Sequence, residues 1–270
     1  QGGGMLNQLF KLDEMGTTVQ REVLAGATTF LTMAYIIVVN PGIISETGMD
    51  FGAVFVATCV AAAFGSLVMG FYANYPIALA PGMGLNAYFT YAVVLGMGLT
   101  WQVALGAVFI SGILFLILSV LPVREWIVNA IPRTLKMAIS AGIGFFLGVI
   151  ALTNAGIVVN SDATLVTLGN VTQPEALLAA LGFVIMIALD RRGVPGAVLL
   201  GIIIIAAIGI LLGYSDFKGI VDLPPNPAPT FLQMDLAGAL QAGIITIVFA
   251  FLFVDFFDSS GTLVGLAHRA

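Results

Sequence analysis

The sequence predicts an all-α polytopic membrane protein, and three observations lead there. Hydrophobic residues make up 60% of the chain and charged residues only 9%, with a mean hydropathy of +1.09; soluble domains carry about 25% charge. Apolar runs long enough to cross a bilayer recur throughout the 270 residues. The basic residues also sort to one side of the membrane once those runs are taken as crossings.

Eight spans are expected. Span 1 covers about 23–44 and holds Thr28, Thr29, Thr32 and Tyr35 in an apolar background, with Asn40-Pro41-Gly42 expected to break or kink it near its end. Span 2, about 51–72, is rich in Ala and Gly, and Ala61 and Gly65 have the four-residue spacing that admits a close helix neighbour. Span 3 ends near Leu95 and span 4 covers about 101–121. The stretch 122–132 is too short and polar to cross; Trp126, Ile127 and Ile131 set against Arg124 and Glu125 predict a helix lying in the interface. Span 5 follows at about 135–152, span 6 at 175–189, and span 7 at 194–212. A Pro-rich loop at 222–229 precedes span 8, about 236–264. Gln1-Gly-Gly-Gly4 reads as a leader ahead of Met5 and not as a secretory signal.

With the N-terminus cytoplasmic, the inner loops hold Lys11, Arg21, Arg124, Arg133, Lys136, Arg191, Arg192 and Arg269, and only Lys218 falls outside. Lys and Arg set orientation, so this split is a strong positive-inside signal. It requires span 3 to cross fully, because a re-entrant loop there would move Arg124, Arg133 and Lys136 to the wrong side.

Span 3 cannot begin as an ordinary helix. In Pro76-Ile-Ala-Leu-Ala-Pro-Gly-Met-Gly-Leu-Asn-Ala-Tyr-Phe89 the two prolines lack donors and push the preceding residues toward extended geometry, while Gly82 and Gly84 loosen the chain. An extended piece followed by a half-helix is expected. Irregular backbone at that depth is tolerated only when packed in protein or lining a cavity. A half-helix N-terminus there suits a polar or anionic ligand, as in secondary transporters.

All but two acidic residues fit loops or span ends. Asp255 and Asp258 stand three apart inside span 8, on one face of a helix, between the midplane and the cytoplasmic end. A carboxylate at the bilayer centre costs about 2.5–3.5 kcal/mol by insertion scales. Two close together also repel, so at least one is expected to exchange a proton near neutrality. Lys136 stands at the inner edge of span 5, and no Lys or Arg lies deeper inside any span to pair with them.

Other functions are poorly served. A net charge of −5 with scattered cations argues against nucleic-acid binding. The one cysteine, Cys59, supports neither a disulfide framework nor a metal site, and His268 beside Arg269 reads as an interfacial charge. Without a nucleophile–base pair or an HExxH-like pattern an enzyme is not expected. A channel would need repeated polar rings.

At Ala78-Leu-Ala-Pro-Gly-Met-Gly-Leu-Asn-Ala87 the chain resembles the nucleobase–cation symporter-2 family (the xanthine/uracil permease superfamily), and more narrowly its AzgA-like branch of adenine/guanine/hypoxanthine permeases. The stretches starting at Gly16 (GTTVQREVLAG), Thr29 (TFLTMAYIIVVNP) and Phe253 (FVDFFDSSGTLVG) match the same branch. The resemblance implies proton-coupled uptake of purine bases across the cytoplasmic membrane, with the proton as coupling ion and no cofactor or metal. It also implies fourteen spans in two inverted repeats of seven, a short β-strand in the broken third span, and a homodimer. Carried onto this sequence, Asn86 and the backbone at Gly84 and Leu85 would contact the base. Asp258, three before Gly261, would bind a ring nitrogen, and Asp255 would be its proton partner or a supporting group. Met83, Thr32 and Gly261 are secondary candidates.

Eight spans are fewer than fourteen, so the chain is expected to be the N-terminal portion. It would comprise a leader and cytoplasmic segment at 1–21, the first repeat at 22–214, an outer loop at 215–235, and span 8 opening the second repeat at 236–270. An anion carrier of the same fold, of the sulfate or bicarbonate type, is the alternative; the two membrane carboxylates would repel its substrate.

Overall fold

The computed structural model describes residues 10–121, 132–217, 219 and 222–267. Ten helices are described: α1 (Val19–Met33), α2 (Ile36–Ser45), α3 (Phe51–Val68), α4 (Met83–Ala87), α5 (Trp101–Val120), α6 (Arg133–Asn154), α7 (Pro174–Arg191), α8 (Ala197–Leu211), α9 (Leu236–Ala239) and α10 (Ala242–Ala267). Two π-helical segments, Met69–Ala73 and Tyr88–Gly96, extend α3 and α4. Among the described residues, the helices Val19–Ser45, Phe51–Ala73 and Trp101–Val120 are long and apolar enough to cross a membrane. Large apolar side chains such as Phe64, Leu116, Phe145 and Phe183 point outward, as a lipid-facing surface requires and a water-facing one avoids.

The chain divides into two compact units. The first comprises Gln1–Val39, Phe55–Pro81 and Leu152–Pro225, and the second Asn40–Val54, Gly82–Ala151 and Asn226–Ala270. In the first, α7 and α8 form a hairpin held by reciprocal small-residue contacts. A Cβ at Gly182 would stand 3.0 Å from Ile205 Cγ1, and one at Gly201 would collide with Met186. Gly196, at a positive φ of 72°, starts α8 and brings the backbone onto Leu31 of α1. The loop between α6 and α7 folds into an antiparallel hairpin, β1 (Val158–Ser161) with β2 (Leu165–Leu168), pairing Val158 with Leu168 and Ser161 with Leu165.

In the second unit α10 packs on α4 and α5. Their shared core contains Phe89, Val93, Ala104, Ala107, Val248 and Phe251. Phe251 is fully buried and meets the Tyr88 ring edge-on, centroids 5.3 Å apart. Asp235 caps α9 by accepting from Gly238 N–H at 2.9 Å, and its own N–H donates to Gln102 O of α5 at 2.9 Å.

Several expectations are corrected. The interruption of span 1 falls at residues 34–35, and Pro41 lies inside α2. Ile37 N–H bonds to Ala34 O and Val38 N–H to Tyr35 O at the interruption, which lies ahead of Ile37, the residue whose carbonyl Pro41 crowds. Span 8 is divided at residues 240–241, where α9 ends and α10 begins, because Asp235 and the close packing of Gly238 on Val103 define a separate first turn. What lies over Gly65 is Leu79 of the extended stretch, with Leu79 Cβ 3.5 Å from where a Gly65 Cβ would be. The short β-strand expected in span 3 is not formed. Residues 75–82 run without a helix or ladder after the left-handed Asn74 (φ 60°), and the backbone groups of Ala78 and Leu79 bond to side-chain hydroxyls. The predicted interfacial helix lies almost wholly in 122–131, outside the described residues, as does His268.

The α5–α9 contact yields a test. A Cβ at Gly106 would collide with the Asp235 carbonyl and stand 3.0 Å from Ala239 Cβ, whereas one at Gly112 meets nothing within 4 Å. Gly106→Ala should therefore destabilise the fold by about 1–3 kcal/mol, and Gly112→Ala by less than about 0.5 kcal/mol. Thermal unfolding of the purified variants in detergent checks both values.

Candidate functional site

The non-helical residues 75–81 deliver the chain to Gly82, which has extended dihedrals (φ −70°, ψ 120°) and forms the N-cap of α4. The helical run then continues from Met83 through Gly96 as α4 and its π-helical extension. Gly84 and Ala87 face inward and are buried; Met83, Leu85 and Asn86 are half-buried. N–H groups in the first turn of a helix have no partner within that helix, and together they present partial positive charge.

Asp258 is the side chain brought to this point. A Cβ on Gly82 would collide with one Asp258 carboxylate oxygen and stand 3.5 Å from its Cγ. Glycine at position 82 therefore does more than allow a bend, because it makes room for the carboxylate at the helix start. Asp255 lies one turn earlier on α10, and both acids are half-buried. Neither carboxylate is without a partner.

The Asn86 side chain donates to Asn40 Oδ1, while Asn86 N–H closes the first helical turn onto Gly82 O at 3.2 Å. Asn40 is only 3% exposed, so the amide pair sits where water competes little. An amide carries two N–H donors and a carbonyl acceptor, and the contact with Asn40 uses one donor of Asn86. Asp258, Gly84, Leu85, Asn86, Met83 and Asp255 thus belong to one compact unit, with Gly261 one turn beyond Asp258 on α10. Thr32 belongs to the other unit, where its hydroxyl donates to Thr29 O of its own helix at 2.7 Å.

Some of this was not visible in the sequence. In the sequence Asn40 belongs to the helix-breaking Asn40-Pro41-Gly42, and the signal for its second role is that a lone amide in an apolar span needs a polar partner. Thr90, fully buried with no hydrogen-bond partner for its hydroxyl among the described residues, lies in the π-helical segment. There the i−4 carbonyl that normally receives a threonine hydroxyl is displaced by the wider winding.

Outward-facing apolar helices, a helical run entered from irregular backbone at Gly82 and two carboxylates within an apolar helix fit a polytopic membrane protein of the permease type. Residues 20–270 match the family model described as the Permease family, and the chain belongs to that family. Over 98% of its length it is 58% identical to a putative permease of Methanocaldococcus jannaschii. It is 48% identical over its full length to the adenine permease AdeP of Escherichia coli, and 42% identical over 97% to the guanine/hypoxanthine permease PbuO of Bacillus subtilis. These matches cover 61%, 60% and 62% of the relatives, so the chain spans about three-fifths of their length. The family is one of permeases, not enzymes, and two of these relatives are named as adenine and guanine/hypoxanthine permeases, in keeping with the branch the sequence resembles.

The amide pair can be tested without a substrate. Asn40→Ala should leave the half-buried Asn86 donor without its acceptor and destabilise the protein by about 1–3 kcal/mol. The readout is the midpoint of thermal unfolding in detergent, with Asn40→Gln as the variant that keeps an amide.

Proposed function

We propose that the full-length protein is a proton-coupled purine nucleobase symporter, taking adenine, guanine or hypoxanthine inward across the cytoplasmic membrane. The observation that supports this reading is the approach of the Asp258 carboxylate to Gly82 at the start of the span 3 half-helix. Relatives whose names state adenine or guanine/hypoxanthine permease supply the substrate class.

A purine ring has N–H groups on one edge and lone-pair nitrogens on others. In the proposed complex a ring N–H donates to Asp258, the backbone N–H groups of Gly84 and Leu85 donate to ring acceptors, and the second N–H and carbonyl of Asn86 pair with the remaining edge. The base thus lies between a carboxylate and a donor-rich helix start. Asp258 takes the coupling proton, with Asp255 one turn away sharing or relaying it. Uptake of a neutral base with a proton removes the repulsion between two negative neighbours, so each ligand favours the other. An anion would meet that repulsion instead.

We also propose that the N-terminus is cytoplasmic, on the distribution of Lys and Arg. The assembly we propose is a homodimer of fourteen-span subunits with inverted repeats, in which this chain supplies the first repeat and the opening span of the second.

Asp258→Asn keeps the side-chain volume but removes the negative charge and the proton site. In the full-length protein it should abolish proton-coupled accumulation of radiolabelled hypoxanthine or adenine at unchanged membrane abundance. Near-wild-type accumulation would remove Asp258 from the mechanism.

A further inference from the structure

The extended stretch that leads to Gly82 has a support that neither the family resemblance nor the relatives assign. Within the first unit, Leu79 N–H donates to Ser66 Oγ at 2.9 Å, and the same hydroxyl donates back to Leu79 O at 3.3 Å. One serine thus serves both backbone groups of Leu79, the work a neighbouring strand performs in a sheet. Ala78 N–H donates to Thr29 Oγ1 at 3.2 Å, and the Thr29 hydroxyl donates to Gly26 O at 2.9 Å. That hydroxyl therefore has one acceptor and one donor role, both filled.

Pro76 and Pro81 have no N–H to contribute. Along another side, residues 78–80 border a cavity of about 420 Å³ lined also by Thr58, Cys59 and Ser66. Backbone at membrane depth needs internal partners, and here two hydroxyls from α1 and α3 provide them at consecutive residues.

We infer that Ser66 and Thr29 are positioning residues for substrate recognition: they fix the backbone of Ala78 and Leu79, from which the chain runs through Ala80 and Pro81 into the half-helix. This rests on the reading of residues 82–86 and Asp258 as the purine site. Neither hydroxyl touches the base; both act through the backbone. Losing the Ser66 hydroxyl unpairs two backbone groups at once, while threonine at that position keeps the hydroxyl. Valine for Thr29 keeps the shape and loses the acceptor.

Two readouts on the full-length protein separate this inference from the reading beneath it. Hydrogen exchange followed by mass spectrometry reports protection of the peptide containing Ala78 and Leu79 and needs no substrate. Purine uptake kinetics then report KM and maximal rate at matched membrane abundance. Ser66→Ala and Thr29→Val should each lower protection of that peptide and raise KM by about tenfold, the effect of one good hydrogen bond, with the maximal rate changed less than KM. Ser66→Thr and Thr29→Ser should restore both readouts. Unchanged protection, or lost protection with an unchanged KM, overturns the positioning role. If the wild-type protein moves no purine, the reading of the site fails and the positioning role built on it falls too, whereas the hydroxyl support of residues 78–79 still stands or falls on protection alone.

Discussion

The structure depends on one constraint: peptide groups within a membrane protein must find hydrogen-bond partners without water. The third span breaks that rule locally, since its first half is extended and contains two prolines. Its stability therefore comes from groups that other segments bring to it. Ser66 and Thr29 meet the backbone at residues 78–79, and the chain then enters the helix at Gly82, where the Asp258 carboxylate lies close.

The same constraint accounts for residue types that would be puzzling in an ordinary spanning helix. Gly82 leaves room for a carboxylate. Asn40, buried in the second half of the first span, finds an amide partner in Asn86. Family membership and the named activities of the relatives turn this polar arrangement into a specific proposal, because a purine base offers complementary donors and acceptors to a carboxylate, an amide and backbone N–H groups. Small residues elsewhere do a different job. Gly182, Gly201 and Gly106 let neighbouring segments come within contact distance, and they concern packing without reference to a substrate.

Much of this was legible in the sequence for identifiable reasons. Prolines and glycines announce a broken helix through their own backbone chemistry, and Asp255 and Asp258 stand out because charge within apolar sequence is costly. Helix positions along most of the chain followed from apolar run length. Tertiary pairing was not legible. Ser66 looks like any membrane serine until Leu79 is seen against it, and Asn40 reads as a helix breaker until Asn86 is found beside it. The short strand expected in span 3 is not formed among the described residues, where the backbone of Ala78 and Leu79 bonds to side-chain hydroxyls. The interruption in span 1 lies ahead of the turn that Pro41 disturbs, at Ala34-Tyr35, where no proline or glycine marks it in the sequence. The hairpin at β1–β2 went unnoticed in a loop, where alternating short apolar segments are easily passed over between longer apolar runs.

The central claim is that a purine base lies between the Asp258 carboxylate and the start of the helical run at residues 82–86. Electron cryo-microscopy of the full-length protein in lipid nanodiscs with saturating hypoxanthine measures this directly. The account predicts density for the base with one edge at the Asp258 carboxylate and another at the Gly84 and Leu85 backbone and the Asn86 amide. A base resolved elsewhere, with neither Asp258 nor residues 82–86 in contact, would contradict it.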